Sequence, residues 1–161
     1  MGELGERAER EVEARIHAAL PDGARCFANI RWLAPQADGG AARNGEIDLL
    51  LVLPRLGILV IETKGGLIAR SRSGLWFAGD RQLKPNPFEQ AETSCRAMAR
   101  KIEADPRWHW GELAIHHAVA FPHTDRVTLG PDGRALGPDA PAELILDRSD
   151  LASDAAATAA L

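Results

Sequence analysis

The chain has 161 residues, 45% of them apolar and 26% charged, with no dominant low-complexity tract, which excludes a disordered or fibrous class and allows one domain with a real core. Its net charge of -4 is mild, so an anionic partner has to be met by a local basic patch. The two cysteines, Cys26 and Cys95, give neither a disulfide framework nor a CxxC metal knuckle, and no apolar run nears a bilayer span, so a cytoplasmic protein without membrane segments is expected.

The first predicted element is an amphipathic helix in "GERAEREVEARIHAAL". At the helical repeat Val12, Ile16, Ala19 and Leu20 form one stripe, and Pro21, Asp22 and Gly23 end it. Glu9 projects into the middle of that stripe, while Glu6 and Glu13 lie at its border. "ARCFANIRWL" reads as a first strand, followed by a breaker-rich loop in "APQADGGAARNG".

A hairpin comes next, "NGEIDLLLVLPRLGILVIETKGG", with both strands apolar on both faces and so expected in the middle of a covered sheet. Alternation puts Ile47, Leu49, Leu51 and Leu53 on one face and Asp48, Leu50 and Val52 on the other. In the second strand Ile58, Val60, Glu62 and Lys64 share a face. A three-residue loop of Arg55, Leu56 and Gly57, with Gly57 left-handed, sets Pro54 opposite Ile58, Asp48 opposite Lys64 and Leu50 opposite Glu62. The two carboxylates are then diagonal neighbours with α-carbons roughly 7 to 8 Å apart, whereas a two-residue loop puts them on opposite faces.

Carboxylates so placed can converge on one Mg²⁺, which takes oxygen ligands and keeps several waters. Lys64 offsets their charge and can address a phosphate oxygen, and Gly65 and Gly66 leave room for a substrate backbone. On periodicity alone a plain strand-end ion pair of Glu62 and Lys64, with Asp48 merely beginning its strand near the loop, is the better explanation and the commoner arrangement.

Beyond the hairpin, segments 67–72 and 75–78 suggest two more strands turning at Ser73 and Gly74. A second helix opens at "NPFEQA", with Asn86 as cap and Pro87 in the first turn. Phe88, Ala91, Cys95, Met98, Ala99 and Ile102 make its buried face, with Gln90 on the flank. "ELAIHHAVAFP" and "AELILD" are further strands separated by the turn-rich "GPDGRALGPDAP". The tail is expected to form a short helix opened by Ser149, with little to bury, as in a piece of a longer protein.

The order of these residues, an acid on a helix, "EID" on a strand, "IETK" on the next and "NPFEQA" opening a helix, resembles the NERD domain, the nuclease-related domain of the restriction-endonuclease-like PD-(D/E)xK superfamily. The resemblance runs from about Ala8 to Ile102, and "AVAFP" and "LILDRSDL" are similar to its downstream strands. It implies an α/β fold with an αβββαβ core, a central mixed sheet flanked by helices, over a core of about 8–147. It also implies phosphodiester hydrolysis with Mg²⁺ or Mn²⁺, leaving a 5′-phosphate and a 3′-hydroxyl. By this likeness Asp48, Glu62 and the carbonyl of Thr63 hold the metal, and Lys64 positions or deprotonates the attacking water. Glu9 is the helix acid, with Glu6 as fallback, and Gln90 bonds phosphate or water. Ile47 stands where many superfamily members have the proline before the aspartate.

The implied partner is nucleic acid, DNA ahead of RNA, in DNA processing or repair and in one chain with a helicase-like domain. A competing reading keeps the fold as a non-catalytic nucleic-acid-binding or regulatory module; another is a small-molecule or protein-interaction domain with an incidental ion pair. Arg70, Arg72, Arg81 and Lys84 are candidates for a phosphate groove, and Trp76, Trp108 and Trp110 for base stacking or, more commonly, packing. The spacing of His109, His116, His117 and His123 matches no zinc pattern.

Overall fold

The computed structural model describes residues 3–34, 43–125 and 139–160. In chain order the elements are α1 (Glu3–Ala19), β1 (Arg25–Ala34), β2 (Arg43–Leu53), β3 (Gly57–Thr63), β4 (Ile68–Arg70), β5 (Trp76–Ala78), β6 (Arg81–Gln82), α2 (Pro87–Glu103), β7 (Ile115–Phe121), a 3₁₀ turn (Ala142–Leu144), β8 (Ile145–Asp147) and α3 (Asp154–Ala160). Among the described residues the strands form one five-stranded sheet, β1-β2-β3-β7-β8, and a small sheet β4-β5-β6. The pairs β1–β2 and β2–β3 are antiparallel, and β7 runs parallel to β3 and β8 to β7, so the large sheet is mixed. This is the restriction-endonuclease-like α/β core expected from the sequence. No helix among the described residues is long and apolar enough to cross a membrane.

α1 and α2 cover opposite faces of the sheet, and β7 sorts its side chains between them by alternation. Ala118 and Ala120 join the cluster that α1 closes with Val12 and Ile16, over Leu49, Leu51 and Ile61. Val119 and Phe121 join the cluster of Phe88 and Ala91 of α2, which also takes Trp76 and Ile145. Farther along α2, Cys95 and Met98 cover Ile47, Leu50 and Val60. At about 1.5 to 3 kcal/mol for each large apolar side chain removed from water, these clusters hold the sheet between its helices. Asn86 caps α2 as expected, its Oδ1 accepting the Glu89 N–H at 2.9 Å, with Pro87 in the first turn.

The hairpin register differs from the expected one. Leu53 pairs with Gly57 and Val52 with Ile58, so the loop is Pro54, Arg55 and Leu56. Arg55 in that loop has a positive φ of 70°, and Gly57, expected to be left-handed, also has a positive φ, 111°. Gly57 is spent on a tertiary contact: a Cβ there would lie 2.1 Å from the Ala114 carbonyl, which accepts the Ile58 N–H at 2.9 Å. The strands therefore slide by two residues, which preserves face parity over the paired rungs Leu49 to Leu53 and sets the level beyond them at Asp48 and Glu62 instead of Asp48 and Lys64.

Alternation also fails at one rung. Leu49, Leu51 and Leu53 pack toward α1, but Ile47 sits with Leu50 on the α2 side. The partner strand changes face at the same level, Cys26 and Ala28 on one side and Ile30 and Trp32 on the other. The cause is Asn29, left-handed at φ 54°, which lies between the rungs Ala28↔Leu49 and Ile30↔Ile47, level with Asp48.

Two smaller corrections concern the C-terminal elements. Strand β8 begins only at Ile145, because Ala142–Leu144 make a 3₁₀ turn. The last helix starts at Asp154 with Ser153, not Ser149, accepting the Ala156 N–H at 3.2 Å. Ser149 is instead engaged by buried Asp147, whose Oδ1 accepts its N–H at 2.8 Å. The tail does bury surface: Ala157 and Leu151 are in the interior, and Thr158 donates to the Ala19 carbonyl of α1 at 3.2 Å. Most of the two loops expected at 34–45 and 130–141 lies outside the described residues.

Candidate functional site

The β2–β3 ladder closes at Leu49↔Ile61. Just beyond it Asp48 folds its carboxylate across the gap, and Oδ2 accepts the Thr63 N–H at 2.7 Å. That bond satisfies a backbone donor which the parted strands would leave buried and unpaired. Glu62 is 2% exposed and Asp48 8%, an unusual depth for two acids. Lys64 Nζ donates to Glu62 Oε1, and the Lys64 N–H holds the Ala120 carbonyl at 2.9 Å, so the chain stays registered on β7 past the strand end. Among the described residues Thr63 Oγ1 is buried without a hydrogen-bond partner.

Burial dominates the electrostatics, because it penalises the charged form of each acid. It pushes the Glu62 carboxyl up to about 7, the Asp48 charge adding to the rise and Lys64 opposing it. Asp48 is raised by burial too, against the Thr63 N–H and Lys64. Glu9 is raised by burial, then by Asp48, with Lys64 opposing. The four groups thus act on one another although they come from α1, β2 and the end of β3.

Glu9 stands between two hollows. One, of about 240 Å³, is also lined by Glu6, Glu13, Asn29 and Asp48. The other, a cleft of about 660 Å³, is lined by Leu4, Thr63, Lys64, Gly65, Gly66 and Arg81, among others. Glu6, expected at the border of the helix stripe, is exposed, and Glu9, expected in its middle, is half-buried. Gln90, on the first turn of α2, lines a third hollow of about 420 Å³ beside Trp32 and Glu46, two residues before Asp48.

Two other candidates, Arg70 and Trp76, are structural. Arg70 is paired with Asp139 at 2.5 Å and lies over the Trp76 ring, 5.9 Å from its centroid, whereas Arg81 faces the cleft. Trp76 is core, with ring centroids 5.6 Å from both Phe88 and Phe121. Trp108 and Trp110 meet edge to face before β7, at the end of the sheet away from Lys64. His117 is half-buried and its imidazole is lowered by burial, while His116 next to it is exposed. His123 is hydrogen-bonded to Gly66 and Glu11.

Among the described residues no three His, Cys, Asp or Glu side chains gather closely enough to hold a metal ion by themselves. A donor set of two carboxylates, completed by backbone oxygen and water, is nonetheless the usual one for Mg²⁺. Asp48 and Glu62 fit it: they are oxygen donors, buried, and raised chiefly by that burial, which a bound cation would offset. A family model described as the nuclease-related domain matches residues 4–122, a span that holds Glu9, Asp48, Glu62, Lys64 and Gln90. No curated protein and no solved structure matches the chain.

Proposed function

Because the chain belongs to the nuclease-related domain family, we propose that it is a divalent-metal-dependent nuclease that nicks or cleaves DNA. The observation that carries this reading is the pair of buried carboxylates, Asp48 and Glu62, raised by burial beside Lys64 at the parting of two central strands. Asp48, Glu62 and the Thr63 carbonyl would hold Mg²⁺ or Mn²⁺. When bound, the ion supplies Lewis acidity toward the phosphate and lowers the pKa of water.

The chain's own groups do the rest. Lys64 presents an ammonium whose remaining protons can be donated to a phosphate oxygen or orient the attacking water. As that water's oxygen bonds to phosphorus, the bond to the 3′ oxygen breaks, leaving a 5′-phosphate and a 3′-hydroxyl. Glu9, next to the cleft, tunes the charge felt by Asp48 and Glu62, and Gln90 is assigned to hydrogen bonding with phosphate or water. Arg81 offers the cleft a phosphate contact. The domain would work in the cytoplasm in DNA processing or repair, in one chain with a helicase-like domain.

Supercoiled plasmid incubated with the protein and Mn²⁺ or Mg²⁺ tests the reading. Nicking by the parent that is lost in Asp48→Ala and Lys64→Ala establishes it. Plasmid binding without cleavage, unchanged in both variants, refutes it in favour of a non-catalytic module.

A further inference from the structure

The two residues after "AVAFP" attract no attention in the sequence except through a histidine count, yet they close on the segment that leaves β3 through Lys64. His123 Nδ1 accepts the Gly66 N–H at 3.0 Å. A backbone N–H can only donate, so Nδ1 is the bare nitrogen and the ring proton sits on Nε2. That nitrogen faces Glu11 Oε2 of α1 at 3.2 Å and donates to it. The next residue completes the hold: Thr124 Oγ1 donates to the Gly66 carbonyl at 3.2 Å and accepts the Ile68 N–H at 2.8 Å.

Both peptide groups of Gly66 are thus taken by consecutive side chains just past the C-terminal end of β7, the end beside Lys64. The clamp itself is anchored, since the Thr124 N–H holds the Phe121 carbonyl at 3.1 Å and the Thr124 carbonyl accepts the Arg148 N–H at 3.1 Å. Gly66 needs such a hold. It is left-handed at φ 86°, and a Cβ there would meet nothing within 4 Å, so no packing limits it. Its neighbour Gly65 is pressed on α1, where a Cβ would stand 2.7 Å from the Ala8 side chain and the Leu4 carbonyl. Lys64, Gly65 and Gly66 together line the 660 Å³ cleft.

We infer that His123 and Thr124 are positioning residues: by clamping Gly66 they fix the exit of β3, and with it the direction of Lys64 and the edge of the cleft. The catalytic half of this inference rests on the proposed nuclease reading. The clamp itself does not, and its test has a readout that needs no activity.

Two substitutions separate the ring nitrogens. His123→Asn puts an amide oxygen near the place of Nδ1 and keeps an acceptor for Gly66, whereas His123→Gln reaches toward Glu11 and leaves Gly66 without one. On the metal-free full chain, amide exchange at Gly66 should quicken about 2- to 13-fold in His123→Gln, the worth of one hydrogen bond, and stay near the parent in His123→Asn. Long-range nitrogen–proton correlation on the parent should find the proton on Nε2. With Mn²⁺ and plasmid, kcat should fall in His123→Gln and be rescued in His123→Asn, with KM alike in both.

Equal Gly66 exchange in the two variants, or a parent ring protonated on Nδ1, overturns the clamp. Split exchange with equal kcat overturns its positioning role. A parent that nicks nothing removes the nuclease reading and with it the catalytic half, while exchange still decides the clamp. Should His123→Gln not fold, Thr124→Val serves instead: unchanged exchange at Ile68 refutes the arrangement.

Discussion

Replacing Glu62 by glutamine removes one charge from the interior and keeps the acceptor that faces Lys64. Burial raises this carboxyl from an ordinary 4.5 to about 7. At about 1.4 kcal/mol per pKa unit, that rise corresponds to about 3 kcal/mol between the protonated and charged forms in the folded state. Between the two values the folded protein binds more protons than the unfolded chain, so the contribution is fully present below pH 4.5 and is lost as pH climbs through about 7. Glu62→Gln escapes this loss. Urea unfolding in chelator at a series of pH values should therefore show the variant gaining on the parent by up to about 3 kcal/mol between mildly acidic and mildly alkaline conditions. Asp48 and Glu9 titrate in both proteins, and the difference curve isolates Glu62 together with its coupling to Asp48. Mn²⁺ at a hundredfold its Kd should restore about 2.7 kcal/mol to the parent and much less to the variant. A stability difference that stays constant with pH refutes the argument that Glu62 is held against its charge.

Lys64 opposes the rise at Glu62, so Lys64→Met should move the Glu62 titration above about 7, followed by carboxyl carbon NMR, and should abolish nicking. Gly57→Ala forces a side chain onto the Ala114 carbonyl at φ 111°, and urea unfolding should show a loss of at least about 1 to 3 kcal/mol. Arg81→Ala should reduce the slope of log affinity against log salt for DNA by about one, the signature of a single lost phosphate contact. Arg70→Ala, which breaks the pairing with Asp139 and Trp76, should instead lower the thermal midpoint.

What could be read from the residues in order was whatever depends on near neighbours. The stripe Val12, Ile16, Ala19 marks the buried side of α1, and Asn86 with Pro87 announces α2, because helical periodicity and capping are settled within one or two turns. The apolar run on both faces of β2 and β3 put them in the middle of the sheet, and their acids stood out for the same reason. Asp48 and Glu62 still act on each other through their charges, although the register slipped by two residues and alternation breaks beside Asp48.

Local chemistry therefore determined most of the elements, though not β6 or the 3₁₀ turn before β8, and the presence of charge where oil was due. The folded chain alone decided who meets whom. Gly57 looked like a turn residue but was claimed by Ala114, Asn29 turned both strands over beside Asp48, and Gly66 found its partners in His123 and Thr124, more than fifty residues away. Such contacts leave no periodic trace, since they arise from packing one segment against another, and it is packing that strips water from Glu62 and gives its carboxyl an altered proton affinity.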